Sequence, residues 1–150
     1  MHSLIARRFP LVVGAMLAVA AFGTACDDDE VVPEPEVATL RLVFPSLNDT
    51  VFVDVATGNV TSGPITISAN IAFNAQFLKD DGEPETLITD ATFELRVTPV
   101  NTAMVTFTRT GAFGGSLNKI ATGSTTIDFE LYHLEEMHGE WTRSVPITVN

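Results

Sequence analysis

Hydrophobic and polar residues alternate along most of the chain after residue 38, which is the period of strands with one buried face. Clusters of Gly, Pro, Asn and Asp interrupt this alternation at short intervals, as turns between strands do. No stretch after residue 38 shows a helical period. In the first two predicted strands the inward-facing residues are Leu40, Leu42, Phe44, Val51, Val53 and Val55.

The third alternating run is the longest, because one phase continues from Ile65 to Phe77. A strand of that length usually bends or contains a bulge, and we expect the break near Ala69 and Asn70. The run would then supply two strands. The segment "KDDGEPE" follows, in which the Asp-Gly pair predicts a hairpin turn.

The second half of the chain predicts four further strands, separated by turn residues and by the Gly-rich segment "TGAFGG", which we interpret as a loop. Their inward-facing residues are Phe93, Leu95, Val97, Val105, Phe107, Ile127, Phe129, Leu131, Val145, Ile147 and Val149. Seven to eight short strands predict an all-β fold, an antiparallel β-sandwich over residues 38–150.

The first 25 residues have the layout of a secretory signal peptide. Arg7 and Arg8 precede an apolar run at residues 11–22, and small residues follow that run. The run is shorter than the roughly 20 apolar residues that a membrane-spanning helix requires. Cleavage is therefore the main prediction, and retention as a transmembrane anchor is the alternative.

The residues just before the single cysteine suggest a lipid anchor. Gly23, Thr24 and Ala25 precede Cys26 in a pattern that resembles the lipobox of bacterial lipoproteins. The resemblance implies cleavage before Cys26, acylation of its thiol and attachment to a membrane through the lipid. Ordinary cleavage after Ala25 is the alternative, and it would leave an unpaired thiol at the new N-terminus.

The lipidated cysteine and an acidic, Pro-containing linker would occupy residues 26–37. The segment "DDDEVVPEPEV" lacks apolar periodicity and is typical of an extended spacer. The whole chain has a formal net charge of −11, and all 19 acidic residues follow Cys26. Such a surface repels phosphate backbones, so we expect no nucleic acid partner. The predicted location is the bacterial cell envelope, on the periplasmic face of the outer membrane or at the cell surface.

Three segments resemble bacterial Ig-like domains of group 2, which occur in surface and adhesin-like proteins. These segments are "FNAQFLKDDGEPE", "ATFELRVTPVNTAMVTFTRTGAFGGSLNKIATGSTTIDFELY" and "SVPITVN", within residues 65–150. Phe93 stands where that family usually has Trp, and "HLEEMHGEW" is longer and more acidic than the usual hairpin. The resemblance implies an Ig-like sandwich that acts as a non-enzymatic binding or structural module.

The segment "HLEEMHGEW" is the strongest candidate site for chemistry. Imidazole and carboxylate groups suit Zn²⁺ or Cu²⁺, and three or four of them must converge to bind the ion. The spacing does not match the metalloprotease helix motif, so convergence requires a loop or turn. The alternative is a solvated acidic hairpin in which the first histidine caps the core. The predicted ligands are His133, Glu135, Glu136 and His138, with Glu140 as a further candidate.

Aromatic residues near the turns are candidates for a recognition surface. Phe113 and Trp141 are predicted to contact an unknown protein or glycan partner, as loops on sandwich scaffolds often do. Alternatively, both rings close the end of the core. The sequence contains no recognisable nucleophile with its base, no acid/base pair and no cofactor motif, so we expect no catalytic residues.

Overall fold

The computed structural model of the chain describes residues 34–61 and 65–150. The predicted signal peptide, Cys26 and linker residues 27–33 lie outside the described residues. The described residues form nine β-strands, which confirms the predicted all-β class. None of them belongs to a helix long and apolar enough to cross a membrane.

The strands have the lengths and the alternating burial expected of a half-buried sheet. In chain order they are β1 (Thr39–Phe44), β2 (Asp49–Asp54), β3 (Ile65–Ile67), β4 (Ile71–Leu78), β5 (Phe93–Pro99), β6 (Val105–Gly111), β7 (Gly114–Lys119), β8 (Gly123–His133) and β9 (His138–Val149). Nine strands exceed the predicted seven to eight, because β7 lies in a segment that the sequence pattern does not reveal.

The strands form two sheets that pack face to face, as predicted for a β-sandwich. The five-stranded sheet has the order β2-β1-β4-β7-β6, and the four-stranded sheet has the order β3-β9-β8-β5. Neighbouring strands are antiparallel except for β3 and β9, which are parallel. Aromatic rings pack within and between the layers, since the ring of Phe73 in β4 lies 5.9 Å from Phe44 in β1 of the same sheet and 6.1 Å from Phe129 in β8 of the other sheet.

The predicted break in the long third run is confirmed. β3 ends at Ile67 and β4 begins at Ile71, and the two strands belong to different sheets. Ala69 continues the inward phase of this run in the sequence but is exposed, because the chain crosses between the sheets there, and the same phase resumes at Ile71. The side-chain oxygen of Asn70 accepts a hydrogen bond from the Lys119 backbone N–H at 3.0 Å, which fixes the crossing.

The predicted Gly-rich loop is wrong, because "TGAFGG" forms the end of β6 and the start of β7. Only Ala112 and Phe113 lie between the two strands. Gly114 allows close packing, since a Cβ there would lie 2.9 Å from the Phe73 carbonyl oxygen. β7 also supplies the buried Leu117. The sequence of this strand, GGSLNK, contains one large apolar residue, so it shows no apolar alternation from which a strand could be predicted.

The end of the predicted linker is attached to the sandwich. The buried carboxylate of Glu85 accepts hydrogen bonds from the backbone N–H of Glu36 at 3.1 Å and of Leu87 at 2.8 Å. The next residue, Val37, packs against the core. The buried apolar residues all lie between Leu40 and Val149, so the described part of the chain contains a continuous core.

Candidate metal centre

The candidate site lies at the tip of the β8–β9 hairpin. His133 ends β8 and His138 begins β9, and the two residues are cross-strand partners. Four turn residues separate them, and the Met137 N–H donates a hydrogen bond to the His133 carbonyl at 3.0 Å. Met137 has a φ of 59°, in the left-handed region that closes such turns. The turn therefore places two histidines that are five positions apart side by side.

A β-bulge brings a third candidate ligand toward the histidines. Leu131 pairs with Trp141, but the next residue of β8, Tyr132, pairs with Gly139. Glu140 is therefore an extra residue on β9. Bulges redirect side chains in this way, and the Glu140 Oε1 lies 3.5 Å from Nδ1 of His133.

The imidazole of His133 is held by packing on its other side. His133 pairs across the sheet with Phe93 of β5, and the two rings stack at 4.4 Å with an interplanar angle of 20°. Only 18% of the His133 side chain is exposed. Because packing limits its rotamers, the ring is held with Nδ1 toward the hairpin tip.

Four side chains converge at this tip. The Glu136 Oε2 lies 3.6 Å from Nδ1 of His133 and 2.6 Å from Nε2 of His138. The other nitrogen of His138, Nδ1, lies 3.8 Å from Oε1 of Glu140. One ligand atom from each of these four residues lies within 4.8 Å of the other three. Such a set of two imidazoles and two carboxylates matches the donors of zinc and copper sites.

The carboxylates favour positive charge at the tip. The hydrogen bond with Glu136 raises the pKa of His138 above its ordinary value, and the negative charge of Glu140 acts in the same direction. A divalent cation would meet the same favourable electrostatic environment.

The structure brings together three of the predicted ligands, His133, Glu136 and His138, with the further candidate Glu140. The predicted ligand Glu135 is exposed on the turn and does not belong to the cluster. Because register within the hairpin depends on the bulge, the sequence alone could not choose among the glutamates. Binding of an ion by these residues stays a prediction.

The two predicted partner-contacting aromatics lie beside the core. Phe113 and Trp141 are partly buried and both contact Phe77, with ring centroids 5.2 Å and 6.3 Å from it. The indole Nε1 of Trp141 is buried and has no hydrogen-bond partner among the described residues. This packing favours the alternative in which both rings close the core, and contact with a partner stays a prediction.

No family model matches the chain, and the search of curated proteins found no significant match. Among solved structures, the chain is similar to the crystal structure of domains 4 and 5 of the S-layer protein SbsC. The TM-score is 0.39 and the sequence identity is 21%. The similarity covers 67% of this chain and 58% of the SbsC chain. This chain therefore spans little more than half of the length of the SbsC chain.

Proposed function

We propose that the chain is a lipid-anchored, non-enzymatic module of the bacterial cell envelope, acting in binding or as a structural element. The support comes from the signal-peptide layout, the lipobox-like residues before Cys26 and the resemblance to Ig-like domains of group 2. Acylation at one cysteine would attach the protein to the membrane without a spanning helix.

One observation carries this proposal: a packed β-sandwich follows directly after an acidic linker whose last residues are bonded to it. β1 begins at Thr39, and the Glu36 N–H donates a hydrogen bond to the buried carboxylate of Glu85. The order of cysteine, charged spacer and compact domain suits a module that is displayed away from a lipid surface. The acidic composition disfavours phosphate-rich partners.

Mass spectrometry of the N-terminal peptide tests the anchor. The full chain and its Cys26→Ser variant are produced in a bacterium, and their membrane fractions are compared. We expect acylated Cys26 as the first residue of the membrane-bound protein, and loss of acylation and of lipid anchoring in Cys26→Ser. An unmodified thiol at that position, or a retained apolar segment before it, would contradict the proposal.

Binding of a transition-metal ion is the second candidate function, and the convergence of His133, Glu136, His138 and Glu140 favours it. Calorimetric titration with Zn²⁺ and with Cu²⁺ tests it. We expect a dissociation constant below about 1 µM, equivalent to about −8.2 kcal/mol. A double variant, His133→Ala with His138→Ala, should not bind. Equal weak binding by both proteins would exclude this function.

A further inference from the structure

We propose that the bulged residue Glu140 completes a mononuclear site for Zn²⁺ or Cu²⁺, in which His133, His138 and Glu140 bind the ion. Glu136 has a different role in this site, because it orients the imidazole of His138 through a hydrogen bond. The inference rests on the second candidate function and assigns its ligands.

The spacing of the donor atoms suits a small coordination sphere. Bonds of about 2.0 to 2.1 Å in tetrahedral geometry place ligand atoms about 3.3 to 3.4 Å apart. The Glu140 Oε1 lies 3.5 Å from Nδ1 of His133 and 3.8 Å from Nδ1 of His138. These two separations exceed the tetrahedral value by only a few tenths of an ångström, and one donor atom from each of the two histidines and from Glu140 lies within 4.8 Å of the others.

The two glutamates lie beside different nitrogens of His138, which gives them different roles in the proposed site. One imidazole binds a single ion through one nitrogen, and its other N–H commonly donates a hydrogen bond to a carboxylate. In His138, Nδ1 faces Glu140, whereas Nε2 forms a 2.6 Å hydrogen bond with Glu136. Glu136 thereby fixes the tautomer that leaves Nδ1 available, which makes it a positioning residue.

The donor set selects the class of metal. Ca²⁺ takes six to eight oxygen ligands and Mg²⁺ requires octahedral coordination that is rich in oxygen and water. Two imidazoles and a carboxylate instead suit Zn²⁺ and Cu²⁺. The stacking of His133 on Phe93 holds one of these imidazoles in place, so the ion meets a partly arranged site rather than a random group of charges.

Three matched substitutions in the full chain, purified in detergent, test the assignment. Glu140→Gln removes the proposed ligand, Glu136→Gln removes the orienting carboxylate, and Glu135→Gln changes a glutamate of the same turn outside the cluster. Affinities for Zn²⁺ and Cu²⁺ are measured by competition with a chelator. Electron paramagnetic resonance of the Cu²⁺ form reports how many nitrogens bind the ion. Ca²⁺ and Mg²⁺ serve as reference ions.

We expect Glu135→Gln to bind like the unmodified chain and Glu136→Gln to bind about 10- to 100-fold more weakly, as when a histidine's orienting partner is lost. The Glu136→Gln spectrum should still show two bound nitrogens. Glu140→Gln should lose more affinity than Glu136→Gln, and Glu140→Asp should recover part of that loss. Thermal unfolding without metal confirms that each variant is folded.

Each result that departs from these expectations would contradict a different part of the proposed metal site. If the unmodified chain binds neither ion, the metal-binding function itself is excluded. If it binds but Glu140→Gln matches Glu135→Gln, Glu140 is not a ligand and the assignment is wrong. An equal loss in Glu136→Gln and Glu140→Gln, with an altered spectrum in both, would make Glu136 a ligand as well. Ca²⁺ binding as tight as Zn²⁺ binding would overturn the proposed metal class.

Discussion

The β6–β7 and β8–β9 hairpins belong to the same sandwich but have opposite chemistry at their tips. The first turns through Ala112 and Phe113, and the Phe113 ring packs edge-on against Phe77 of the core. The second turns through exposed residues and groups His133 and His138 with two carboxylates. The first turn completes the core, whereas the second carries groups suited to bind a ligand.

The difference indicates where this fold tolerates change. The β6–β7 turn depends on glycines that lie against backbone and aromatic atoms, so its sequence is restricted by packing. The β8–β9 tip is restricted mainly by the geometry of its own polar side chains. Substitutions should therefore affect stability at one hairpin and ligand binding at the other.

Glycine substitution should give the largest difference in the free energy of unfolding between variants of the two hairpins. A Cβ at Gly115 would collide with the Phe107 ring and the Thr108 carbonyl oxygen, whereas a Cβ at Gly139 would meet the flexible Glu130 side chain. We expect Gly115→Ala to lower the free energy of unfolding by about 3 kcal/mol and Gly139→Ala by about 0.5 kcal/mol, measured by denaturant titration. Equal losses would remove the contrast between the two turns.

Truncation of apolar side chains should give a smaller effect in the same direction. Phe113 packs against the core, whereas Leu134 at the other tip is 38% exposed. We expect Phe113→Ala to lower the free energy of unfolding by about 2 kcal/mol and Leu134→Ala by about 0.5 kcal/mol. A stable Phe113→Ala variant that loses binding to a protein or glycan would instead support the predicted recognition surface.

Replacing the left-handed residue of the β8–β9 turn by glycine should stabilise the folded protein. Met137 has a φ of 59°, and an L-residue in that region is less favourable than glycine by about 1 to 2 kcal/mol. The added flexibility of the unfolded chain offsets about half of this gain. We expect Met137→Gly to raise the free energy of unfolding by about 0.5 kcal/mol. Asn48 has a φ of 51°, but asparagine tolerates this region, so Asn48→Gly should give a smaller gain.

A third turn, after β2, sharpens the comparison because it is polar and held by internal hydrogen bonds. The Thr57 backbone N–H and hydroxyl donate to the Asp54 carboxylate at 2.7 and 2.8 Å, and these bonds lower the pKa of Asp54. The resulting stabilisation is present above the unfolded pKa of about 3.9 and is lost as pH falls through the folded value.

The melting temperature of the Asp54→Asn variant measures this contribution. We expect it to lie slightly below that of the unmodified chain above about pH 5, with the difference shrinking as the pH falls below about 4. A difference that is constant with pH would show that the charged form of Asp54 contributes nothing. This should be the smallest of the four effects on stability, because Asp54 lies at the surface.

Most of the fold follows from the alternation of apolar residues, because one buried face per strand leaves a period of two in the sequence. The inward phases of β1, β2, β4, β5, β8 and β9 were predicted, and the structure buries them. β7 was missed because its glycines are required for close backbone approach, and glycine adds no apolar signal. The parallel pairing of β3 with β9 depends on contacts that are distant in the sequence.

The residue types of the candidate site could be predicted from the sequence, but which of the glutamates join the histidines could not. Clustering of histidines and carboxylates within nine positions is visible in the sequence. Which glutamates join the histidines depends on the bulge opposite Tyr132 and on the turn geometry at Met137. Those features arise from strand register and backbone conformation, so the sequence did not distinguish Glu135 from Glu140.

The most direct test of the central claim is a two-dimensional ¹H–¹⁵N spectrum of residues 34–150, recorded during titration with Zn²⁺. We predict that the largest changes occur at residues 133–140 and at Phe93, whose ring stacks on His133, while the β6–β7 turn is unaffected. Changes centred on the acidic turn at residues 80–83, or spread evenly over the acidic surface, would contradict a metal site at the β8–β9 hairpin.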